Sequence, residues 1–248
     1  MLLSTLFWLV PLLLVATFAR SPWGKGLLGE WLVRLMLRLQ LDKTEYVSLH
    51  NVTLATPDGS TQIDHVIVSR FGIFAIETKN MQGWIFGSER QAEWTQKIYK
   101  RTFRFQNPLR QNYQHSKALE AMLQVPPESI HSVIVFVGGS TFKTDMPANV
   151  THGGGCVRFI QSFTQPIFDA QQVRDLVLEL RAGRMAPTRA THVAHVQRLK
   201  ERHAPDAERK CPACGSGMVL RTTKSSVQPG KQFWGCSTYP KCRVMQKQ

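Results

Sequence analysis

The chain has 248 residues, 43% of them apolar, and a formal charge of +14 at neutral pH. That is enough chain and enough apolar side chain for one ordinary domain with a core plus a small appendage, which excludes wholesale disorder. The charge is uneven: residues 183–248 hold 13 Lys and Arg against 3 Asp and Glu, so the C-terminal end is the one that attracts polyanions, either nucleic acid or anionic lipid head groups.

Residues 1–19 contain no charged side chain and are rich in Leu, Val, Phe and Trp, close to the ~20 helical residues that cross a hydrocarbon core. Basic residues follow the run, at Arg20, Lys25, Arg34 and Arg38. A secretory signal carries its positive charge ahead of the apolar stretch, and none is present there. The expectation is an uncleaved transmembrane anchor over residues 1–20, single-pass in the cell inner membrane, with the lipid bilayer as its partner and the later domains in the cytoplasm.

Gly24 to Leu41 has the period of an amphipathic helix, with Leu27, Leu28, Trp31, Leu32, Leu35 and Leu39 as the apolar stripe and Glu30, Arg34 and Arg38 off it. The period then shortens. Tyr46 to Leu54 alternates like a strand, Pro57 to Ser60 is turn chemistry, and Gln62–Ser69 and Ile73–Lys79 are β-branched runs about a tight turn at Arg70 to Gly72. Short strands are expected at Trp84–Phe86 and Trp94–Tyr99, a helix from Pro108 to about Leu123, an apolar strand at Ile130–Val137, and a closing helix at Asp169–Arg181. This order predicts an α/β core with a mixed sheet. Trp84 and Trp94 are expected to be core or sheet-cover residues rather than base-stacking platforms. Cys156, in a glycine-rich stretch with no histidine motif beside it, reads as a small buried or loop residue.

Two strands that otherwise look buried carry acids: Asp64 in Gln-Ile-Asp-His-Val-Ile-Val, and Glu77 in Ile-Phe-Ala-Ile-Glu-Thr-Lys. An unpaired carboxylate is costly to bury, so each needs a partner or a metal. Direct opposition about the turn would set Asp64 across from Glu77 or Lys79, and residues two apart share a face, so the three side chains would converge. A hard, oxygen-ligated ion such as Mg²⁺ would relieve the repulsion, and Lys79 could orient an attacking water and offset phosphate charge. The competing reading is an ion cluster at a half-exposed strand end.

The longer ordered set comprises Gly29-Glu30 on a helix, Ile63-Asp64-His65-Val66, Phe71 to Asn80, Gly83-Trp84, and Asn107-Pro108 with Gln111 and His115. Over roughly residues 24–140 it resembles the nuclease-related domain (NERD) family of the PD-(D/E)xK superfamily. The resemblance implies a restriction-endonuclease-like mixed sheet flanked by helices. By the same resemblance Glu30 is the helix-borne acid, Asp64 and Glu77 the Mg²⁺-binding pair, Lys79 the catalytic lysine, and Gln111 the polar residue on the following helix. Ile63 stands where the superfamily pattern has proline, a position that shapes the turn and binds no metal.

Residues 183–209 read as a basic linker or solvated helix between the domain over 24–182 and a module over 210–246. In that module Cys211 and Cys214 are separated by two residues, and Cys236 and Cys242 follow after a gap of 21. Paired thiolates at such spacing close a tetrahedral S₄ shell about a structural Zn²⁺, with no open position for zinc chemistry. Metal binding would supply much of the folding free energy of so small a unit. The run Cys211-Pro-Ala-Cys214-Gly215, Met218 to Arg221, Phe233 to Ser237, Tyr239-Pro240 and Cys242-Arg243 resembles the C4 zinc ribbons of bacterial type IA DNA topoisomerases, which implies single-stranded DNA as partner. Phe233, Trp234 and Tyr239 beside Lys224, Lys231, Lys241 and Arg243 supply stacking and charge for such binding. A ribbon on a non-catalytic nuclease scaffold would instead tether DNA to the membrane, and an adaptor whose basic tail meets anionic lipid is a third reading.

Overall fold

The computed structural model describes residues 17, 21–57, 59–186, 193, 197, 211, 213–223 and 232–247. The anchor expected over 1–20 and the linker over 183–209 fall almost wholly outside the described residues, as do Lys224 and Lys231. Among the described residues no helix is long and apolar enough to cross a membrane. The chain divides into two compact units, Met1–Thr191 and His192–Gln248.

The larger unit is a mixed α/β structure. Helix α1 (Pro22–Gln40) leads into β1 (Tyr46–Thr56), β2 (Gly59–Ser69) and β3 (Gly72–Asn80). After β4 (Gly83–Phe86), β5 (Glu93–Ile98) and β6 (Arg101–Gln106) come α2 (Pro108–Leu123) and β7 (Ile130–Val137). Two short strands, β8 (Ser140–Phe142) and β9 (Val150–His152), precede α3 (Gly155–Gln161) and α4 (Ala170–Gly183). The main sheet has the order β1-β2-β3-β7-β9. Its first three strands are antiparallel, while β3–β7 and β7–β9 are parallel. A second sheet runs β6-β5-β4-β8.

Local chemistry sets the helix starts. Ser21 accepts from the Gly24 amide at 3.0 Å, and Asn107 accepts from Leu109 at 2.9 Å, each with proline opening the helix. Asp169 and Gln172 form a reciprocal capping box on α4. One face of the main sheet packs Val66, Val68, Ile73 and Ala75 against Leu119 and Leu123 of α2 and Leu176 and Leu180 of α4. The other packs Ile67, Phe74, Ile76 and Val133 against Val33 and Leu37 of α1 and Cys156, Val157 and Ile160 of α3. Burial pushes the Cys156 thiol up to about 12, so it is a neutral core group.

The face of α1 is a correction. The stripe Leu27, Leu28, Trp31, Leu32, Leu35 and Leu39 is exposed, Trp31 at 56%, while Val33 and Leu37 are buried. The helix carries apolar residues on both sides, and close approach decides between them: a Cβ on Gly29 would lie 2.7 Å from the Asn80 Cβ. The glycine lets α1 seat on the end of β3, where Asn80 also donates to the Lys25 carbonyl at 2.7 Å.

Trp94 does cover the core. It is fully buried, stacked on Phe136 with centroids 6.2 Å apart, and donates to the Ser88 carbonyl. Trp84 is not a core residue: 48% exposed, it lies on the outer face of the second sheet. On the four-residue β4, Ile85 takes the inward position and Trp84 the outward one.

The smaller unit has a three-stranded antiparallel sheet of β10 (Met218–Thr222), β11 (Gln232–Cys236) and β12 (Met245–Lys247), a zinc-ribbon-like arrangement. Its core consists of Cys211, Met218, Trp234 and Cys236, with Cys242 and Val244 against them.

Candidate functional site

The first candidate site lies where β2 and β3 part. Their ladder ends at the pair His65 and Ile76, while β3 continues beside β7 through Asn80. Beyond the last rung, Asp64 replaces the lost partner, its Oδ2 accepting from the Thr78 amide at 2.8 Å. Glu77, next along β3, is 4% exposed. Its Oε1 accepts from Lys79 Nζ at 2.6 Å, and that ammonium also donates to Gln111 Oε1 at 2.9 Å. The second oxygen, Oε2, is buried with no hydrogen bond, and His115 Nδ1 stands 3.6 Å from it.

α2 holds this arrangement from one side. Asn112, fully buried, donates to the carbonyls of Ala75 and Val133 and to the Ser132 hydroxyl, so it locks α2 to β3 and β7. The Asn112 Oδ1 lies 3.2 Å from His115 Nδ1, and Gln111 is one residue before it. α1 supplies Glu30 to the same region. Burial raises the Glu30 carboxyl above its ordinary value, and the Glu77 charge raises it further. Burial likewise lifts the Asp64 carboxyl well above its usual range, with the charges of Glu77 and Glu30 adding to the lift. The amide of Thr78 and the Lys79 charge oppose that rise without cancelling it.

Three acids thus sense one another around a gap at the edge of the β3 ladder, with one ammonium among them. The convergence expected in the sequence is partial: Glu77 and Lys79 touch, whereas Asp64 meets the backbone between them. Among the described residues only the four cysteines bring three or more ligand atoms within 4.8 Å of one another, so the acids stand further apart than a closed protein cage. Asp64 and Glu77 are the side chains that could hold a hard cation here, since an ion such as Mg²⁺ takes one or two protein carboxylates and keeps several waters.

Behind Asp64, His65 and His50 form a pair, Nδ1 to Nδ1 at 2.9 Å. Burial lowers His65 to about 3 and His50 to about 4, with the Arg34 charge contributing to both. Each ring is therefore neutral.

The second site is the cysteine cluster. Cys211 Sγ lies 3.6 Å from Cys242 Sγ, and Cys214 Sγ 3.4 Å from Cys236 Sγ. A tetrahedral zinc with Zn–S bonds of ~2.3 Å has sulfur–sulfur edges of about 3.8 Å, so this donor set fits the ion. The Thr238 hydroxyl sits 3.0 Å from Cys236 Sγ. Without an ion the thiols share protons unequally: the Ser216 amide and hydroxyl, with Cys236 and Thr238, hold Cys214 down to about 6, while Cys242, donating to its neighbouring sulfurs, is pushed up to about 12. The case for zinc therefore rests on the sulfur geometry. The four clustered cysteines support a structural zinc.

Beside the cluster runs a groove of about 450 Å³ lined by Arg221, Phe233, Gly235, Tyr239 and Arg243. Arg221 pairs with Phe233 across the ladder and its guanidinium lies 5.6 Å from the Tyr239 ring centroid. A Cβ on Gly235 would press on the Arg221 side chain at 3.1 Å. Trp234 is a correction: at 6% exposed it fills the ribbon's core and offers no face for stacking. A unit this small has few other apolar side chains to close over its cysteines. Arg221 joins the candidates only here, because the strand register that sets it opposite Phe233 and beside Gly235 is not visible in the sequence. Lys241 is exposed, and Lys224 and Lys231 lie outside the described residues.

Residues 25–137 match the family model described as the nuclease-related domain, and residues 208–248 match the topoisomerase DNA binding C4 zinc finger. The chain carries a nuclease-related domain followed by a topoisomerase-type C4 zinc ribbon. An uncharacterized protein of Bacillus anthracis is 50% identical over 104 residues, 42% of this chain and 49% of that protein. The chain thus spans about half the length of the curated relative it matches. No solved structure matches it.

Proposed function

We propose that this chain is a membrane-anchored DNA nuclease that hydrolyses phosphodiesters with Mg²⁺ on a restriction-endonuclease-like core, while its zinc ribbon holds single-stranded DNA. The observation that carries the catalytic part is Glu77: a buried carboxylate with one oxygen on Lys79 and the other without a hydrogen bond, beside two acids whose carboxyls are raised by burial and by the Glu77 charge. The buried Oε2 is costly to leave in that state, and a cation at that oxygen would complete it.

Asp64 and Glu77 would hold the ion, which when bound activates water and neutralises developing charge. Lys79 orients the attacking water or offsets phosphate charge. Gln111 fixes the Lys79 ammonium through its 2.9 Å hydrogen bond. Glu30 adds negative charge at the rim. In the ribbon, Phe233 and Tyr239 supply ring faces and Arg221, Lys241 and Arg243 the phosphate contacts.

The membrane part rests on the uncharged run over residues 1–19 and on the exposed apolar face of α1 that follows it. That face bears no acid, and Lys25, Arg34 and Arg38 lie on the same helix. A helix with an apolar outer stripe and basic residues suits the head-group zone of an anionic bilayer, with the nuclease-related domain on the cytoplasmic side.

A second reading, a non-catalytic tether, draws on the closed contact of Lys79 with Glu77 and Gln111, which gives the lysine a structural task. The two part in one experiment on the full chain in detergent. DNA cleavage that needs Mg²⁺ and disappears in Glu77→Ala and Lys79→Ala fits the nuclease. Undiminished cleavage in both variants rejects the site, whereas no cleavage, with DNA binding that survives both changes but falls in Cys236→Ser, selects the tether.

A further inference from the structure

A groove of about 510 Å³ opens just past the end of β3, lined by Gln82, Gly83, Trp84, Lys97, Tyr99 and Gly139 among others. Gln82 is three positions on from Lys79, at most about 10 Å along the chain, so the groove begins within one or two nucleotides' reach of the candidate catalytic lysine. Its wall is the outer face of the second sheet. Trp84 pairs with Lys97 on β5 and with Thr141 on β8. The Lys97 and Lys143 ammoniums stand 5.8 and 4.9 Å from the Trp84 ring. Tyr99, in the tight β5–β6 turn, has a positive φ of 50° and is 94% exposed.

The floor is backbone. Gly83 has φ +78°, and a Cβ there would lie 2.4 Å from the Lys97 carbonyl; around Gly139 there is nothing within 4 Å of an added Cβ. The groove thus brings together the Trp84 indole and the Tyr99 phenol, with the Lys97 and Lys143 ammoniums at the indole ring. An indole left half-exposed by a domain that buries Trp94 completely is a face without a packing partner of its own size.

We propose that this groove is a second nucleic-acid site, one that takes an unpaired nucleobase onto Trp84 while Lys97 and Lys143 swing from the ring to the flanking phosphates. Ring stacking tolerates any base and needs the base out of its duplex, and the lysines supply the backbone charge that such sites combine with stacking. The site deepens the nuclease reading and rests on it for its purpose: it holds a single strand leading to the Glu77–Lys79 gap, separately from the ribbon.

The test uses the full chain in detergent with Glu77→Gln to prevent cleavage, and a short single-stranded oligonucleotide carrying 5-iodouracil, in deoxyribose and ribose forms. Photocrosslinks mapped by mass spectrometry are expected on Trp84 or Tyr99 as well as in the ribbon. Trp84→Ala should remove the domain adduct and weaken binding by roughly fivefold or more, while Trp84→Phe should keep the adduct. Lys97→Ala or Lys143→Ala should each reduce the slope of log affinity against log salt by about 0.7. Adducts confined to Phe233 and Tyr239, or duplex DNA competing as well as single strand for the Trp84 adduct, would overturn the proposal. Loss or persistence of cleavage in Glu77→Ala bears on the catalytic reading alone, so the two can fail separately.

Discussion

Removing the two members of the Glu77–Lys79 pair should have opposite consequences for stability. Glu77 is buried, with 5% of its side chain exposed, whereas Lys79 keeps 21%. Lys79→Met leaves a carboxylate without its cation among two other acids. Breaking a fully buried pair this way costs about 3–5 kcal/mol, and the partial exposure of the lysine lowers the expectation to about 2–4 kcal/mol. Glu77→Gln removes the buried member of the pair and strands no cation, since the Lys79 ammonium can turn toward water, and it relieves the repulsion that raises Glu30 and Asp64. That variant should lie within about 1 kcal/mol of the parent or be more stable, the usual trade of stability for function at a charged site. Hydrogen exchange of β3 and α2 amides in the detergent-solubilised full chain, without magnesium, reads the opening free energy. Lys79→Met should accelerate exchange about thirty- to thousandfold, and a magnesium concentration 100-fold above its dissociation constant should recover about 2.7 kcal/mol. If Glu77→Gln proves the more damaging change, or magnesium protects neither the parent nor Lys79→Met, Glu77 is a structural ion-pair partner and the ion site is wrong.

Acid should weaken the domain through the buried histidine pair. The folded values of about 3 for His65 and about 4 for His50 lie below the ordinary 6.5, so the unfolded chain takes up protons first and stability falls as pH drops through 6.5. For His65 the loss approaches about 2 kcal/mol near pH ~5, and His50, more exposed, adds less. Asp64 and Glu30, raised in the fold, act with the opposite sign, so the comparison is parent against His65→Gln: acid sensitivity that is the same in both refutes the assignment. For the ribbon, chelation or Cys236→Ser should abolish one bound zinc per chain and melt the β10–β11–β12 amides while leaving exchange in the main sheet unchanged; protection that survives zinc loss contradicts a metal-dependent fold. In anionic vesicles carrying brominated acyl chains, the emission lost in Trp31→Phe should be a bromine-quenched component. Unquenched, water-like emission would mean that the outer face of α1 does not meet lipid, and blue-shifted but unquenched emission would assign the face to a protein partner.

Elements were most legible where local chemistry is self-contained. Asn107-Pro108 and Asp169 with Gln172 announce helix starts by side chains that bond their own first turn, and the cysteine spacing needs no tertiary knowledge at all. The Ser21-Pro22 start, two residues ahead of the expected Gly24, is of the same self-contained kind. Faces were less legible, because a face is chosen by what packs on it. α1 has apolar residues all round, and a missing Cβ at Gly29 outweighs the longer stripe. The same holds for Trp84 against Trp94 and for Trp234 against Phe233: each pair was read by residue type, whereas a one-residue shift along a strand decides which is inside. Strands β6, β8 and β9 and helix α3 went unread. β6 is polar and largely exposed, and the others are three to seven residues long, too short to establish a period.

The position of Asp64 depended on an event that periodicity cannot report. The register about Gly72 does set Asp64 nominally opposite Glu77, since Ser69 pairs with Gly72 and His65 with Ile76, but the ladder stops one rung earlier. On the other side of β2, Asn51 adopts a positive φ of 51° directly across from Asp64, and neither residue is part of a ladder pair. Leu49, Val52 and Leu54 then share one core with Ile63 and Val66, so alternation slips at the same level on both strands. With its own strand twisted there, Asp64 bonds the Thr78 amide instead of presenting its carboxylate squarely to Glu77. The interruption that spoils the sequence pattern is what opens the gap between β2 and β3, and the three acids and the lysine gather about that gap because no regular rung remains to fill it.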